Sequence, residues 1–221
     1  MTARLYQFIS SSFCAKVRKI LAYKGVDFET VEVDYVERKE LVMASGQLMV
    51  PALTLDSGET IVDSHTIAMR LEELYPEPTI LPPDWRGIHL ALERYIDTEI
   101  GEEVFRAALP DDLRHFRRFG ADHEAFFRFI HDGKFGAGFC DRMERDAEEN
   151  LARVCELIAP FEDALSERAF ILKRIGLADF ALYGQLYFLA FTGDLKIPRR
   201  FANLRAFFDR MDRITSVLEP E

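Results

Sequence analysis

The hydrophobic pattern changes character once along the chain. Up to about residue 75, short strand-like runs alternate with helical ones. Leu5 to Ile9 is a compact apolar run, and Cys14, Val17 and Leu21 then recur at helical spacing until Gly25 offers a stop. From Phe28 to Tyr35 the period becomes two, with Val31, Val33 and Tyr35 on one face and Glu32 and Asp34 on the other. Val36 to Ala44 predicts a short helix ending near Gly46. Ala52 to Leu55 and Thr60 to Val62 flank the turn Asp56-Ser57-Gly58-Glu59, which predicts a hairpin. Asp63 and Ser64 can each cap the helix that follows, whose apolar positions Ile67, Leu71 and Leu74 precede the stop at Tyr75-Pro76. The predicted order is β-α-β-α-β-β-α.

The segment 77–83 holds three of the nine prolines and no helical or strand period, so it reads as a linker between a unit at 1–76 and a second at 84–221. Beyond it every strong pattern is helical. Leu90 to Phe105 is one run, and Cys140, Met143, Ala147, Leu151, Val154 and Ile158 form a second with spacings of three and four. Leu204 to Ile214 is a third. Leu177 to Phe191 is apolar on nearly all faces and predicts a central buried helix. There is no internal repeat and no low-complexity tract.

Composition narrows the function classes. The 221 residues carry 28 Lys plus Arg against 38 Asp plus Glu, a formal charge of −10, with 48% hydrophobic residues. A chain of this length buries roughly 70% of its extended surface, so no disulfide or metal staple is needed. The acidic balance disfavours nucleic acid as a partner. Asp179 and Gln185 interrupt the longest apolar stretch, which is too short to cross a bilayer, so no membrane association is expected. The first residues lack the apolar core of a signal peptide and the three cysteines have no paired spacing, so the expected location is cytoplasmic with reduced thiols. The five histidines show no zinc spacing, and no metal is expected. Seven phenylalanines between Phe116 and Phe139 alternate with Arg117, Arg118, Arg128 and Lys134, a mixture suited to core packing or the wall of an apolar pocket.

Three places could carry chemistry. Ser10-Ser11-Ser12-Phe13-Cys14 stands between the first strand and helix, where unpaired N–H groups and the helix dipole favour an anion. Any of the three serines is available there, and capping is their other role. Cys14 lies on the apolar helix face, where a free thiol packs as a small hydrophobe. Met49-Val50-Pro51 opens the third strand, and Asp63-Ser64 opens the third helix.

This order, joined through a short linker to an all-helical part, resembles the soluble glutathione transferases over nearly the full length: a thioredoxin-like α/β domain followed by an all-α domain. Counting back from Val17-Arg18, Ser11 matches the catalytic serine of the serine-type members and Cys14 the second cysteine of a glutaredoxin-like pair. The resemblance implies that Ser11 donates a hydrogen bond to the glutathione sulfur. It also implies that Ser12, Phe13, Lys39, Met49, Val50, Pro51, Asp63 and Ser64 contact glutathione, with Val50–Pro51 cis, Asp63 facing the ammonium and Ser64 the carboxylate of its γ-glutamyl end. A homodimer and a small hydrophobic electrophile follow from the same resemblance, as does a detoxifying transferase role. Gly176-Leu177-Ala178-Asp179 resembles the capping box of the family's core helix, with glycine where serine or threonine is usual, and Ser45 to Met49 departs from the common Asn-Pro-x-Gly-x-Val-Pro approach. These departures leave open a non-catalytic relative that binds glutathione or protein. Thiol–disulfide exchange through Cys14 is the third reading.

Overall fold

The structure, a computed structural model, describes residues 2–214. Met1 and residues 215–221, the outer ends of the expected units 1–76 and 84–221, lie outside the described residues. Strands β1 (Ala3–Gln7), β2 (Phe28–Glu32), β3 (Ala52–Thr54) and β4 (Thr60–Val62) form one mixed sheet of order β2-β1-β3-β4. β1 runs parallel to β2 and antiparallel to β3, and β3 pairs antiparallel with β4. The parallel pair requires a crossover, supplied by α1 (Ser12–Tyr23). With α2 (Lys39–Ser45) and α3 (Ser64–Leu74), the order is the thioredoxin-like β-α-β-α-β-β-α.

Two boundaries differ from the periodicity for local reasons. β2 stops at Glu32 although the burial alternation continues through Val33 and Tyr35, because β1 ends at Gln7, whose carbonyl takes the Val33 amide at 2.9 Å and leaves no residue opposite the positions beyond. The short helix begins at Lys39 rather than Val36. The Asp34 carboxylate accepts the amides of Val36 and Glu37, each at 2.8 Å, and holds them in a turn. Arg38 then takes a left-handed conformation, φ 46°.

The second part is helical among the described residues. α4 (Arg86–Tyr95), a π-helical turn (Ile96–Ile100) and α5 (Gly101–Arg117) are continuous, followed by α6 (Ala121–Phe135), α7 (Phe139–Arg145), α8 (Ala147–Ala164), α9 (Leu177–Phe188) and α10 (Ala202–Asp212). The pattern spanning Cys140 to Ile158 is broken between α7 and α8 at Asp146, which leaves helical geometry at φ −96°, ψ 18°. α9 ends three residues before Phe191, yet every residue in it except Tyr187 is buried, as a helix apolar on all faces must be. It packs on α1, α4 and α5, so the core of the helical part directly supports the helix that follows the serine run.

Candidate active site

The turn between β1 and α1 is built by its own hydrogen bonds. The Ser11 amide donates to the Phe8 carbonyl at 3.0 Å, and the Ser11 hydroxyl oxygen, at the N-cap of α1, accepts from the Cys14 amide at 3.3 Å. The amides of Ser12 and Phe13 have no partner among the described residues, which leaves the positive end of α1 free for an anion. Glu32 steadies the turn from β2: its carboxylate accepts the Ile9 amide at 2.6 Å and the Gln7 side chain at 3.1 Å. Cys14 is fully buried, and burial pushes its thiol up to about 11. A thiol held protonated and out of solvent lacks the thiolate that disulfide exchange needs.

Beside this turn lies a cleft of about 260 Å³ lined by Phe13, Gln47, Met49, Val50, Pro51, Asp63 and Ser64. A larger cavity, about 670 Å³, shares Phe13, Asp63 and Ser64 with it and extends to His65 and along one face of α4. Its size falls within the range of about 300–1,000 Å³ usual for small-molecule sites. The Val50–Pro51 bond is cis. Val50 stands outside β3 and makes no backbone hydrogen bond to another described residue, so its amide and carbonyl can pair with an extended ligand.

Asp63 and Ser64 form the opposite wall. Asp63 holds a positive φ of 72°, a conformation costing about 1–3 kcal/mol that is kept where the surroundings or a function enforce it. One carboxylate oxygen accepts the Thr66 amide at 2.9 Å and the Thr66 hydroxyl at 3.1 Å. The other is open to a cation. The Ser64 hydroxyl and the amides of Ser64 and His65 have no partner among the described residues, so the start of α3 presents three donors to one cleft.

Of the residues singled out in the sequence, the structure gathers Phe13, Met49, Val50, Pro51, Asp63 and Ser64 around this cleft. Ser11, Ser12 and Lys39 are not among its lining residues. Ser11 is half-buried at the cap, Ser12 is buried under α9, and Lys39 is exposed on α2. The Ser12 position depends on Gly184 of α9, because a Cβ there would overlap the Ser12 carbonyl.

Other contributors have no signal in the sequence. Arg38 is buried, donates to the carbonyls of Tyr35 (2.8 Å) and Leu48 (2.9 Å), and lies over the rings of Phe8 and Tyr35. It thereby fastens the loop before Val50 to the turn after β2 that carries Tyr35. Lys16, also buried, pairs with Glu93 at 2.9 Å and with Asp97, while His65 Nδ1 lies 2.8 Å from the second Glu93 oxygen. This network ties α1 and α3 to α4 beneath the larger cavity. Burial dominates the Asp97 carboxyl and raises its pKa. At the start of α9, the Asp179 carboxylate accepts the amides of Gly176 (2.9 Å) and Ile171 (2.8 Å), the structural capping role expected of it.

The aromatic residues of the second part pack on one another. Phe116, Phe127 and Phe139 join Leu109, Leu113 and Tyr35 in a cluster that Phe8 also touches, so it fills the space beside the serine turn. Among the described residues no three His, Cys, Asp or Glu side chains converge as a metal site requires, and no helix is long and apolar enough to cross a membrane.

The chain matches two family models, the glutathione S-transferase N-terminal domain over residues 5–79 and the glutathione S-transferase C-terminal domain over residues 101–214. It is 30% identical over 190 residues to a maleylacetoacetate isomerase of Pseudomonas aeruginosa, covering 83% of this chain and 80% of that one. Against glutathione S-transferase Z1 of Arabidopsis thaliana it is 38% identical over 122 residues, 45% of this chain and 55% of the relative. Among solved structures, a glutathione S-transferase of Ceriporiopsis subvermispora in complex with glutathione superposes with a TM-score of 0.75 at 19% identity, over 100% of both chains.

Proposed function

The chain belongs to the glutathione S-transferase family, and from that premise we propose that it binds glutathione in the cleft between α1 and α3 and adds its thiolate to a small hydrophobic electrophile. The observation that carries this reading is the convergence of three open helix-start donors and Asp63 on the cleft that Val50 lines. Such a wall suits an α-amino acid end: carboxylate on the Ser64 hydroxyl and α3 amides, ammonium on the free Asp63 oxygen. Val50 would pair with the cysteinyl backbone, while Met49, Pro51 and Phe13 cover the peptide and Lys39 reaches toward the glycine carboxylate. The sulfur would lie at the start of α1, where the free amides of Ser12 and Phe13 favour a thiolate and the Ser11 hydroxyl, already an acceptor from Cys14, still has its own hydrogen to donate.

In this reading residues 1–76 hold glutathione, 77–83 link, and 84–221 provide the electrophile site. The protein acts as a cytoplasmic homodimer, and light scattering that returned the mass of one chain at micromolar concentration would contradict the assembly. Calorimetry with glutathione tests the binding itself: a heat of binding below millimolar concentration supports it, and silence at millimolar ligand overturns it.

Two further readings rest on particular observations. The Pseudomonas relative is named an isomerase. A thiolate that adds to an activated double bond and then leaves would interconvert geometric isomers without consuming glutathione, so following glutathione together with product separates addition from isomerisation. The second is a non-catalytic binding protein, favoured by Ser11 being a cap outside the cleft lining. Binding without turnover of any electrophile would select it.

A further inference from the structure

Ile9 and Ser10 are the two middle residues of a turn that Ser11 closes, its amide reaching back to the Phe8 carbonyl at 3.0 Å. β1 ends at Gln7, so the direction in which this turn leaves the sheet depends on what holds its corner. Two bonds do so from the side of β2. The Val33 amide donates to the Gln7 carbonyl at 2.9 Å, and the Ile9 amide donates to Glu32 Oε1 at 2.6 Å, the short distance of a charge-assisted bond. The second Glu32 oxygen accepts from Gln7 Nε2 at 3.1 Å, and Gln7 Oε1 in turn accepts from Arg18 on α1 at 2.6 Å.

Donors and acceptors must alternate along this row of groups, and its ends fix the order. A guanidinium only donates, and so does a backbone N–H. The Gln7 amide therefore turns its oxygen to Arg18 and its nitrogen to Glu32, and the side chain at 32 must accept at both of its outer atoms. An ionised carboxylate does this; an amide or a protonated carboxyl does not. Gln7 is 3% exposed, so a partner it loses is not readily replaced by water. The row lies under the first turn of α1. Cys14 feels the charges of both Arg18 and Glu32, and so does Tyr187 of α9, whose ring centroid is 4.9 Å from the Arg18 guanidinium. Glu32 faces solvent on its outer side, yet desolvation still raises its carboxyl above the ordinary value.

We propose that Glu32 is a positioning residue for Ser11: by holding the Ile9 amide, with Gln7 and Arg18 behind it, Glu32 fixes where the Ser11 hydroxyl and the free amides of Ser12 and Phe13 point. Glu32 lines neither cavity, so it acts through the turn and not on a ligand. This action opposes the effect of its charge. A carboxylate beside the turn disfavours a thiolate at the start of α1, as it does for Cys14. Removing the charge alone should lower the thiol pKa of bound glutathione, whereas loosening the turn should raise it. The effect on the sulfur rests on the glutathione reading above; the hold on the turn does not.

The test is Glu32→Gln, which keeps the shape and puts a donor where the row needs an acceptor. The ultraviolet absorbance of the thiolate, titrated with glutathione bound, should show a thiol pKa raised by about one unit or more, a tenfold loss of thiolate at a fixed pH below it. A lowered or unchanged pKa overturns the proposal. Exchanging the two side chains, Gln7→Glu together with Glu32→Gln, keeps the net charge and restores the alternation: the carboxylate now at 7 accepts from Arg18 and from the amide at 32, whose oxygen takes the Ile9 N–H. The exchanged protein should recover the parent's thiolate fraction to within about threefold, and failure to recover also overturns the proposal. Should Glu32→Gln not fold, NMR of the unaltered chain without glutathione decides. As falling pH protonates Glu32, the Ile9 amide proton should move upfield and the Ser11 amide should shift with the same midpoint; a stationary Ser11 amide overturns the proposal. A concerted shift in a protein that binds no glutathione would leave the hold on the turn standing and defeat only the glutathione reading.

Discussion

The imidazole of His89 occupies the volume that a side chain on Gly176 would need. A Cβ on Gly176 would overlap the ring, and His89 Nδ1 accepts the Ala178 amide at 3.4 Å. That amide belongs to the second residue of α9, one of those a capping serine or threonine ordinarily serves. The helix is therefore capped from α4, and the glycine at 176 is the consequence. Gly176→Ser should destabilise the protein by about 1–3 kcal/mol, the usual cost of overpacking. In a His89→Ala background the same change should cost less than about 1 kcal/mol, because the serine then has room to cap. Urea unfolding of the four proteins in this cycle measures the coupling, and additive effects would refute it.

Gly184 sets how closely α9 approaches α1. Gly184→Ala pushes a methyl group into the Ser12 carbonyl, which is backbone and cannot swing aside. The expected result is a loss of about 1–3 kcal/mol in stability together with weaker glutathione binding, since the first turn of α1 must shift. Unchanged affinity in the folded variant would separate Ser12 from the binding site.

Ser11 and Ser64 should fail differently. On the proposed reading, Ser11→Ala removes a hydrogen bond to the thiolate and should lower turnover by roughly tenfold or more, with glutathione affinity little changed. Ser64→Ala should raise the glutathione dissociation constant, because in that reading its hydroxyl meets the carboxylate in ground and transition states alike. Ser10→Ala, Ser12→Ala and Cys14→Ala complete the series. Loss of turnover in Ser12→Ala alone would move the catalytic role by one residue, and loss in Cys14→Ala alone would replace it with thiol chemistry.

Burial raises the Asp112 carboxyl to about 7, whereas in the unfolded chain an aspartate titrates near about 3.9. Between these values the folded state holds the extra proton, so this group makes stability fall as pH rises through the window. Asp112→Asn should therefore be more stable than the parent at pH 8 and nearly equal to it at pH 4. His89 acts in the opposite sense. Burial lowers its pKa, so the unfolded chain takes up the proton first and stability is lost as pH falls below about 6.5. Urea midpoints across pH 4–8 test both, and a parallel profile for Asp112→Asn would count against the buried carboxyl.

The order of elements was legible in the sequence because each depends on neighbours a few residues away. Period two in Val31, Val33 and Tyr35, helical spacing in Cys14, Val17 and Leu21, and the cap at Asp63 act locally, and local patterns survive without tertiary context. Their ends were less legible: β2 stops where β1 stops, a fact about its partner. For the cleft, Asp63 and Ser64 were readable because a capping pair at a helix start is itself a local arrangement. Arg38 was not, since its partners are carbonyls and rings brought together by folding, and neither was the buried Lys16–Glu93–Asp97 network, whose members lie 77 and 81 residues apart. The glycine at 176, a tolerable cap where serine or threonine is usual, has a reason that appears only once the fold places His89 against it. A chain pattern determines which residues can face inward; which polar groups end up paired there depends on contacts between distant segments, and only the tertiary structure decides those.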